Sequence, residues 1–148
     1  MRKANLLIGL LFLSTSLWGQ DPWKITVSDV RTNNYFGVTV GNGMLGIVSS
    51  PEPLRTKNVV LAGSYDKYGR GRVSNFLNGF NMLNCSISID GKRINRNNIS
   101  SFTQTLDMKK ATFTSHFTYA NKADITCSYL ALRQLPYCAM MVVEVEPK

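Results

Sequence analysis

Apolar and polar residues alternate with a period of two along most of the chain, a spacing that is typical of β-strands with one buried face. The clearest run is 111–119, where alanine, serine and aromatic residues alternate with Thr112, Thr114, His116 and Thr118. Similar alternation predicts further strands at 23–27, 85–89, 125–131 and 138–145.

Turn-forming residues separate these runs. Asn42-Gly43 and Asp90-Gly91 tolerate the positive φ angles of tight hairpin turns. Segments 120–123 and 135–137 turn the chain again, so consecutive strands are expected to pair as an antiparallel meander. Only 101–109 is a candidate for a helical turn. The predicted fold class is all-β, as part of a two-layer sandwich.

The residues GNGMLG at 41–46 match the G-x-G-x-x-G pattern of dinucleotide-binding turns. Such a turn must open a helix, yet IVSSPEP at 47–53 favours extended backbone because it contains β-branched residues and two prolines. Asp66 lies about twenty residues further on, where a ribose-binding acid would stand, but it falls in a predicted loop. We therefore interpret 36–48 as a β-hairpin and not as a nucleotide site.

Residues 1–19 have the parts of a secretory signal peptide. Arg2 and Lys3 precede an apolar core at 6–13, which is much shorter than the roughly 20 residues that a membrane-spanning helix needs. The sequence predicts cleavage near Gly19. The remaining domain, 20–148, is expected to be exported to the periplasm or the extracellular space, with no membrane contact after cleavage.

Basic residues outnumber acidic ones, and the formal net charge is +8. Without Arg2 and Lys3, fifteen basic residues remain against nine acidic ones, so the mature chain carries +6. Basic residues cluster only at 67–72 and 92–96, and neither cluster shows the regular aromatic interleaving of a nucleic-acid groove. We interpret the charge as solvated surface charge and expect no nucleic-acid partner.

Candidate catalytic and metal-binding residues are few. His116 is the only histidine, and nothing titratable is spaced to orient it as a general base. Glu144 and Glu146 share a strand face and could flank a glycosidic bond, but a solvated strand end is the favoured interpretation. Cys85 and Cys127 are interpreted as small buried hydrophobes. Without C-x-x-C or H-x-x-x-H spacing, no metal site and no cofactor are expected.

Seven short segments form an ordered set of motifs: GNGMLG at 41–46, PEP at 51–53, AGSYD at 62–66, LNGFN at 77–81, ISIDGK at 87–92, LDM at 106–108 and LR at 132–133. Their order and spacing resemble the N-terminal domain of glycoside hydrolase family 65. That family includes the maltose, trehalose and kojibiose phosphorylases and related α-glucoside hydrolases. The resemblance covers roughly 30–148, which is essentially the whole mature chain.

The resemblance implies a super-β-sandwich like that of galactose mutarotase, packed in the full-length enzyme against a C-terminal (α/α)6 barrel. In the family, the catalytic glutamate and the phosphate-binding loop belong to that barrel, so no catalytic residue is carried over to this chain. The chain is therefore expected to be a fragment, truncated at Lys148 before its sandwich is complete. The implied substrate of the full-length enzyme is an α-linked glucose oligosaccharide.

The function implied by the resemblance is the N-terminal scaffold of an exported enzyme that acts on α-glucosides, inactive alone. Hydrolysis is favoured over phosphorolysis because a sugar phosphate is useful mainly inside the cell. The alternative from another class is a free-standing carbohydrate-binding or interaction β-sandwich.

Binding chemistry is expected only in the aromatic loop at 65–72. Tyrosine rings stack on sugar faces and arginine donors reach sugar hydroxyls. The candidate substrate-binding residues are Tyr65, Asp66, Tyr68 and Arg70, at the rim of a saccharide site formed with the barrel. A loop that packs between domains is the other interpretation, because aromatic residues are also enriched in buried interfaces.

Overall fold

The computed structural model describes residues 21–66 and 75–148, so the predicted signal peptide lies outside it. Regular structure in these ranges is mainly β-strand, with two 3₁₀ turns at Thr32–Asn34 and Arg96–Asn98. No helix in this part of the chain is long and apolar enough to cross a membrane. The strands are β1 Lys24–Val27, β2 Thr39–Gly41, β3 Leu45–Ser49, β4 Thr56–Asp66, β5 Asn75–Asn78, β6 Ser88–Ile89, β7 Lys92–Arg93, β8 Ile99–Asp107, β9 Thr112–Tyr119, β10 Ala123–Ala131 and β11 Ala139–Pro147.

Five antiparallel strands form the larger sheet, in the order β1-β8-β9-β10-β11. The strands β8 to β11 each pair with the next along the chain, which confirms the predicted meander. The turn between β9 and β10 has positive φ angles at Ala120 and Asn121, as a type I′ hairpin turn requires. The first strand, β1, pairs with β8, with Ile25 opposite Leu106.

The prediction of a helical turn at 101–109 is wrong, because most of this segment lies in β8. Phe102 and Gln104 are each 6% exposed, and burial of alternate residues is the pattern of a strand. The pairing with β9 shifts register just after Ser100, and Ser101 has a φ of 52°. This bulge interrupts the alternation of apolar residues that would otherwise have predicted the strand.

The smaller sheet contains β2 to β5 in sequence order. The hairpin predicted at 36–48 is confirmed, and the glycine-rich turn leads into β3 and not into a helix. The turn lies one residue later than predicted. The backbone nitrogen of Asn42 donates to the Leu45 carbonyl at 3.1 Å, and of the turn residues only Gly43 has a positive φ, at 90°. A positive φ at the first central position fits a type II′ turn.

The expectation that 62–66 belongs to a loop is wrong. The strand β4 continues through Tyr65 and ends at Asp66, and both residues pair with β5. Gly63 has a φ of 85° within a register shift of this strand pair, so the glycine that indicated a loop accommodates a bulge inside the strand. The remainder of the predicted loop, 67–72, lies outside the described residues.

Residues 85–89 alternate in burial as predicted, with partly buried apolar residues and exposed serines. Only the last two form a strand, β6, which pairs with β7. The intervening Asp90 and Gly91 have φ angles of 52° and 72°, which confirms the predicted tight turn.

The core lies between the two larger sheets, where β10 packs against β2 and β3. The inward side chains Ile125, Cys127 and Tyr129 of β10 have no exposed surface. The rings of Phe113 and Tyr129 stack with centroids 5.9 Å apart. Full burial of such large apolar side chains contributes roughly 1.5–3 kcal/mol each. The predicted class, an all-β two-layer sandwich, is confirmed.

Candidate functional site

The predicted binding loop begins within β4, which contains Tyr65 and Asp66. Tyr65 is 52% exposed, and Asp66 is the last residue of the strand. Tyr68 and Arg70 lie outside the described residues. An exposed tyrosine at the end of a sheet suits both roles that the sequence predicts, since its ring can stack on a sugar or pack against a neighbouring domain.

A groove of about 430 Å³ opens between β1, β8 and the segment that joins β1 to β2. Its lining is mostly apolar and includes Ile25, Val27, Phe36 and Leu106. Phe36 is 88% exposed, which is unusual for a phenylalanine. Contiguous exposed apolar surface of this kind marks interaction sites in soluble proteins.

Tyr35 and Gln104 also line the groove, and they form a polar network that joins the two layers. The Tyr35 hydroxyl lies 2.7 Å from Ser49 Oγ and 2.8 Å from Gln104 Oε1. The Nε2 atom of Gln104 donates to the backbone carbonyl of Ser50 at 2.7 Å. Burial raises the pKa of Tyr35, although its two hydrogen bonds oppose the shift, so the hydroxyl stays protonated.

His116 lies on the outer face of the larger sheet, as predicted. Its Nδ1 atom is 3.1 Å from the hydroxyl of Thr126, the opposite residue on β10. On the same strand pair, Thr118 donates to Asp124 at 2.5 Å. That hydrogen bond, together with one from Lys148, holds the pKa of Asp124 below its usual value. These are cross-strand polar contacts that stabilise the sheet, and they support a structural role for His116.

Glu144 and Glu146 are exposed on β11, opposite Thr126 and Asp124. Their exposure confirms the interpretation as a solvated strand end. Within 21–66 and 75–148, no group of three His, Cys, Asp or Glu residues is placed to hold a metal ion.

The three cysteines differ in exposure: Cys127 is buried, Cys85 is partly buried and Cys138 is exposed. Burial raises the pKa of Cys127 to about 11 and also raises that of Cys85. The neighbouring Tyr129 hydroxyl has its pKa raised by burial as well. A thiol that stays protonated is a poor nucleophile and a poor metal ligand. Cys127 is therefore a small buried core residue, as predicted, and Cys85 lies at the core boundary.

The described residues form an antiparallel sandwich, and comparison with known proteins identifies its family. The sequence model for "Glycosyl hydrolase family 65, N-terminal domain" matches residues 37–148. The chain belongs to glycosyl hydrolase family 65, and the resemblance found in the sequence is confirmed.

Two relatives are each called "Kojibiose hydrolase". The protein from Flavobacterium johnsoniae is 50% identical over 132 residues, which cover 89% of this chain and 19% of that protein. The protein from Mucilaginibacter mallensis is 50% identical over 142 residues, which cover 96% of this chain and 21% of that protein. The chain therefore spans about a fifth of the length of these relatives.

The apolar groove was missed by sequence reasoning. The alternation of Trp23, Ile25 and Val27 predicted a strand with one buried face, but these side chains are 54%, 51% and 47% exposed. A period-two pattern shows which residues share a face, whereas burial also requires a second layer over that face. The adjacent aromatic residues Tyr35 and Phe36 were the available signal that apolar surface gathers there.

Proposed function

We propose that this chain forms the N-terminal scaffold of an exported enzyme that hydrolyses α-glucosides, with kojibiose as the first substrate to test. The observation that carries the proposal is the 50% identity to two proteins called kojibiose hydrolase. This identity extends over 89% and 96% of the chain, so it includes both sheets of the sandwich.

A scaffold role is supported by where the described acids lie: those that adjoin one another, Asp124, Glu144 and Glu146, are on the open outer face of β10 and β11. A glycosidase needs two carboxyl groups that flank the scissile bond at separations of about 5–10 Å. Glu144 and Glu146 are exposed on the edge strand β11, and Asp29 and Asp90 form surface ion pairs with Arg31 and Lys122. In this proposal the catalytic carboxyl groups belong to another part of a longer polypeptide.

Hydrolysis is favoured over phosphorolysis by the names of both relatives and by the predicted signal peptide. Export is tested by mass spectrometry of the protein from its native host. The mature N-terminus is expected near Gln20, and a protein that keeps Met1 in the cytosol would contradict export.

The enzymatic role is tested on the complete reading frame that contains this sequence. The full-length polypeptide should release glucose from kojibiose in phosphate-free buffer, and the 148-residue chain should not. Formation of glucose 1-phosphate on addition of phosphate would instead assign phosphorolysis. Absence of turnover with every α-linked glucose disaccharide would reject the enzymatic role.

A binding experiment distinguishes the scaffold from the alternative, a free-standing carbohydrate-binding sandwich. Isothermal titration of kojibiose into the 148-residue chain should show no heat of binding if the chain is a scaffold. Measurable binding, together with a stop codon directly after Lys148, would favour a free-standing carbohydrate-binding sandwich.

The role of Tyr65 is tested in the same full-length enzyme. If its ring contacts substrate, Tyr65→Ala raises KM for kojibiose while kcat changes little. Tyr137→Ala is the matched control, because Tyr137 is 49% exposed in the turn before β11. Unchanged kinetics with a lowered Tm would assign Tyr65 to packing between domains.

A further inference from the structure

Two arginines from different parts of the chain meet at one serine hydroxyl. Arg55 precedes β4, Ser86 precedes β6, and Arg93 is the last residue of β7. The Nη2 atoms of Arg55 and Arg93 donate to Ser86 Oγ at 3.3 Å and 2.7 Å. The two nitrogens cannot be farther apart than these two hydrogen-bond lengths together, so two positive charges are held close to each other.

No carboxylate neutralises this pair of charges. None of the ion pairs among residues 21–66 and 75–148 involves Arg55 or Arg93. Like charges at a short distance repel each other. The arrangement therefore lacks a negative charge that would offset the repulsion, and a bound anion supplies one.

The hydroxyl of Ser86 adds a third donor at the same place. A serine oxygen accepts two hydrogen bonds and donates one. Both acceptor positions are taken by Arg55 and Arg93, and the hydroxyl donates to no acceptor in the part of the chain that the structure describes. Three donors that converge without an acceptor suit a ligand group that only accepts hydrogen bonds.

We propose that Arg55, Ser86 and Arg93 form a binding site for a doubly charged oxyanion group, sulfate or phosphate, either as a free ion or carried by a saccharide. Guanidinium groups bind such oxyanions through parallel N–H donors. A groove of about 340 Å³ lies beside the two arginines and is also lined by Pro53 and Asn95. Its volume lies in the range of small-molecule sites, so it has room for a sugar ring as well as the charged group.

Backbone contacts place the three donors together before any ligand binds. The Cys85 nitrogen donates to the Leu54 carbonyl at 3.2 Å, which brings Ser86 beside Arg55. The pairing of β6 with β7 holds Arg93 next to the same segment. A preformed arrangement of this kind favours binding, because less conformational freedom is lost when the ligand arrives.

Glu52 is the only acid among the described residues that line this groove. Its carboxylate forms no ion pair with Arg55 or Arg93. Its negative charge opposes that of an anionic ligand. The site therefore predicts opposite effects for neighbouring charges: loss of an arginine weakens binding, and loss of the Glu52 charge strengthens it.

The site is tested by NMR titration of the isotope-labelled 148-residue chain with sodium sulfate and, separately, with sodium phosphate. The Nε–H signals of Arg55 and Arg93 should shift in a saturable way, and sodium chloride at the same ionic strength should not reproduce the shifts. Equal shifts with chloride, or no saturable shift with either oxyanion, would overturn the inference.

Variants measure the contribution of each charge to the dissociation constant for sulfate. Arg93→Ala should raise it about tenfold, because a charge-assisted hydrogen bond is lost. Arg133→Ala is the control: it removes the same charge from the exposed segment between β10 and β11 and should raise the constant less than about twofold. Glu52→Gln should lower it about threefold, because a like charge is removed. Equal effects of the two arginine variants would reveal only general attraction to a basic protein and would reject the site. The same spectra show whether each variant is folded.

Glucose 6-phosphate distinguishes the two sources of the oxyanion. Tighter binding of glucose 6-phosphate than of phosphate would assign the site to a group carried by a saccharide, and equal affinities would assign it to the free ion. Binding of glucose with the affinity of glucose 6-phosphate would reject recognition through charge. The inference goes beyond the proposed function and is tested separately from it, because sulfate binding by the 148-residue chain requires no hydrolysis of kojibiose.

Discussion

The side-chain amide of Gln104 donates a 2.7 Å hydrogen bond to the backbone carbonyl of Ser50, and so connects β8 in one sheet with the end of β3 in the other. Its oxygen lies 2.8 Å from the Tyr35 hydroxyl, which also contacts Ser49. Buried polar groups are costly without partners, so this network fixes the relative position of the two layers.

Gln104→Ala is expected to destabilise the domain by about 2 kcal/mol, because it leaves the Ser50 carbonyl without its partner and removes one of the two partners of the Tyr35 hydroxyl. Thr103→Ala, one residue away on the other face of β8, is the control and should change stability by less than about 0.5 kcal/mol. Urea denaturation in the longest soluble form of the protein measures both. Equal effects would show that the network adds nothing to stability.

Asn42 forms a second link, between two turns. Its Oδ1 atom accepts from the backbone nitrogens of Met44 and Leu45 at 3.0 Å and 2.8 Å, and its Nδ2 atom donates to the Leu132 carbonyl at 2.7 Å. Asn42→Ala removes all three bonds and should cost about 2 kcal/mol. Asn42→Asp keeps the acceptor and loses the donor, so its cost should be smaller. If aspartate proved as harmful as alanine, the contact with Leu132 would be the dominant one.

The sequence predicted the strands whose apolar spacing is regular and whose turns contain permissive residues. The run at 111–119 and the turn at Asp90-Gly91 are local features that the structure contains, and the turn predicted at Asn42-Gly43 is present one residue later. Errors arose where a long-range partner overrides local composition. Pairing with β5 extends β4 to Asp66, and a bulge at Ser101 conceals β8. The adjacent Tyr35 and Phe36 indicated apolar surface, but the exposure of β1 could not be predicted, because coverage by a second layer depends on the whole fold.

The cysteines should react with iodoacetamide in the order of their exposure. Cys138 is exposed and should be alkylated first, whereas Cys127 is buried with a pKa of about 11. At pH 8 only about one Cys127 thiol in a thousand is ionised, and the buried sulfur is also inaccessible. Cys127 should therefore react only after unfolding in guanidinium, as mapped by peptide mass spectrometry. Rapid alkylation of Cys127 in the native protein would contradict the packing of β10.

The ionisation of Asp124 should make the stability of the domain depend on pH in the acid range. Its pKa is lowered from the usual 3.8 mainly by the hydrogen bond from Thr118. Because the folded state binds the proton less tightly than the unfolded state, this contribution is fully present above pH 3.8 and is lost as the pH falls through the lower pKa. In thermal melts the stability difference between wild type and Asp124→Asn should shrink below that pH. Thr118→Val removes the hydrogen-bond donor and should flatten the same pH dependence. An unaltered pH profile in this variant would contradict the role of the Thr118 hydrogen bond.

The exposed strand β1 also bears on the order in which the fold assembles. The turns of the β8–β11 meander close short loops, whereas pairing Lys24 with Asp107 closes a loop of roughly 80 residues, which costs about 2–3 kcal/mol more in chain entropy than a hairpin. The side chains of β1 remain about half exposed, so their burial offsets little of this entropy cost. β1 should therefore be the last strand to join during folding and the first to detach, with backbone amides that exchange with deuterium sooner than those of β9 and β10.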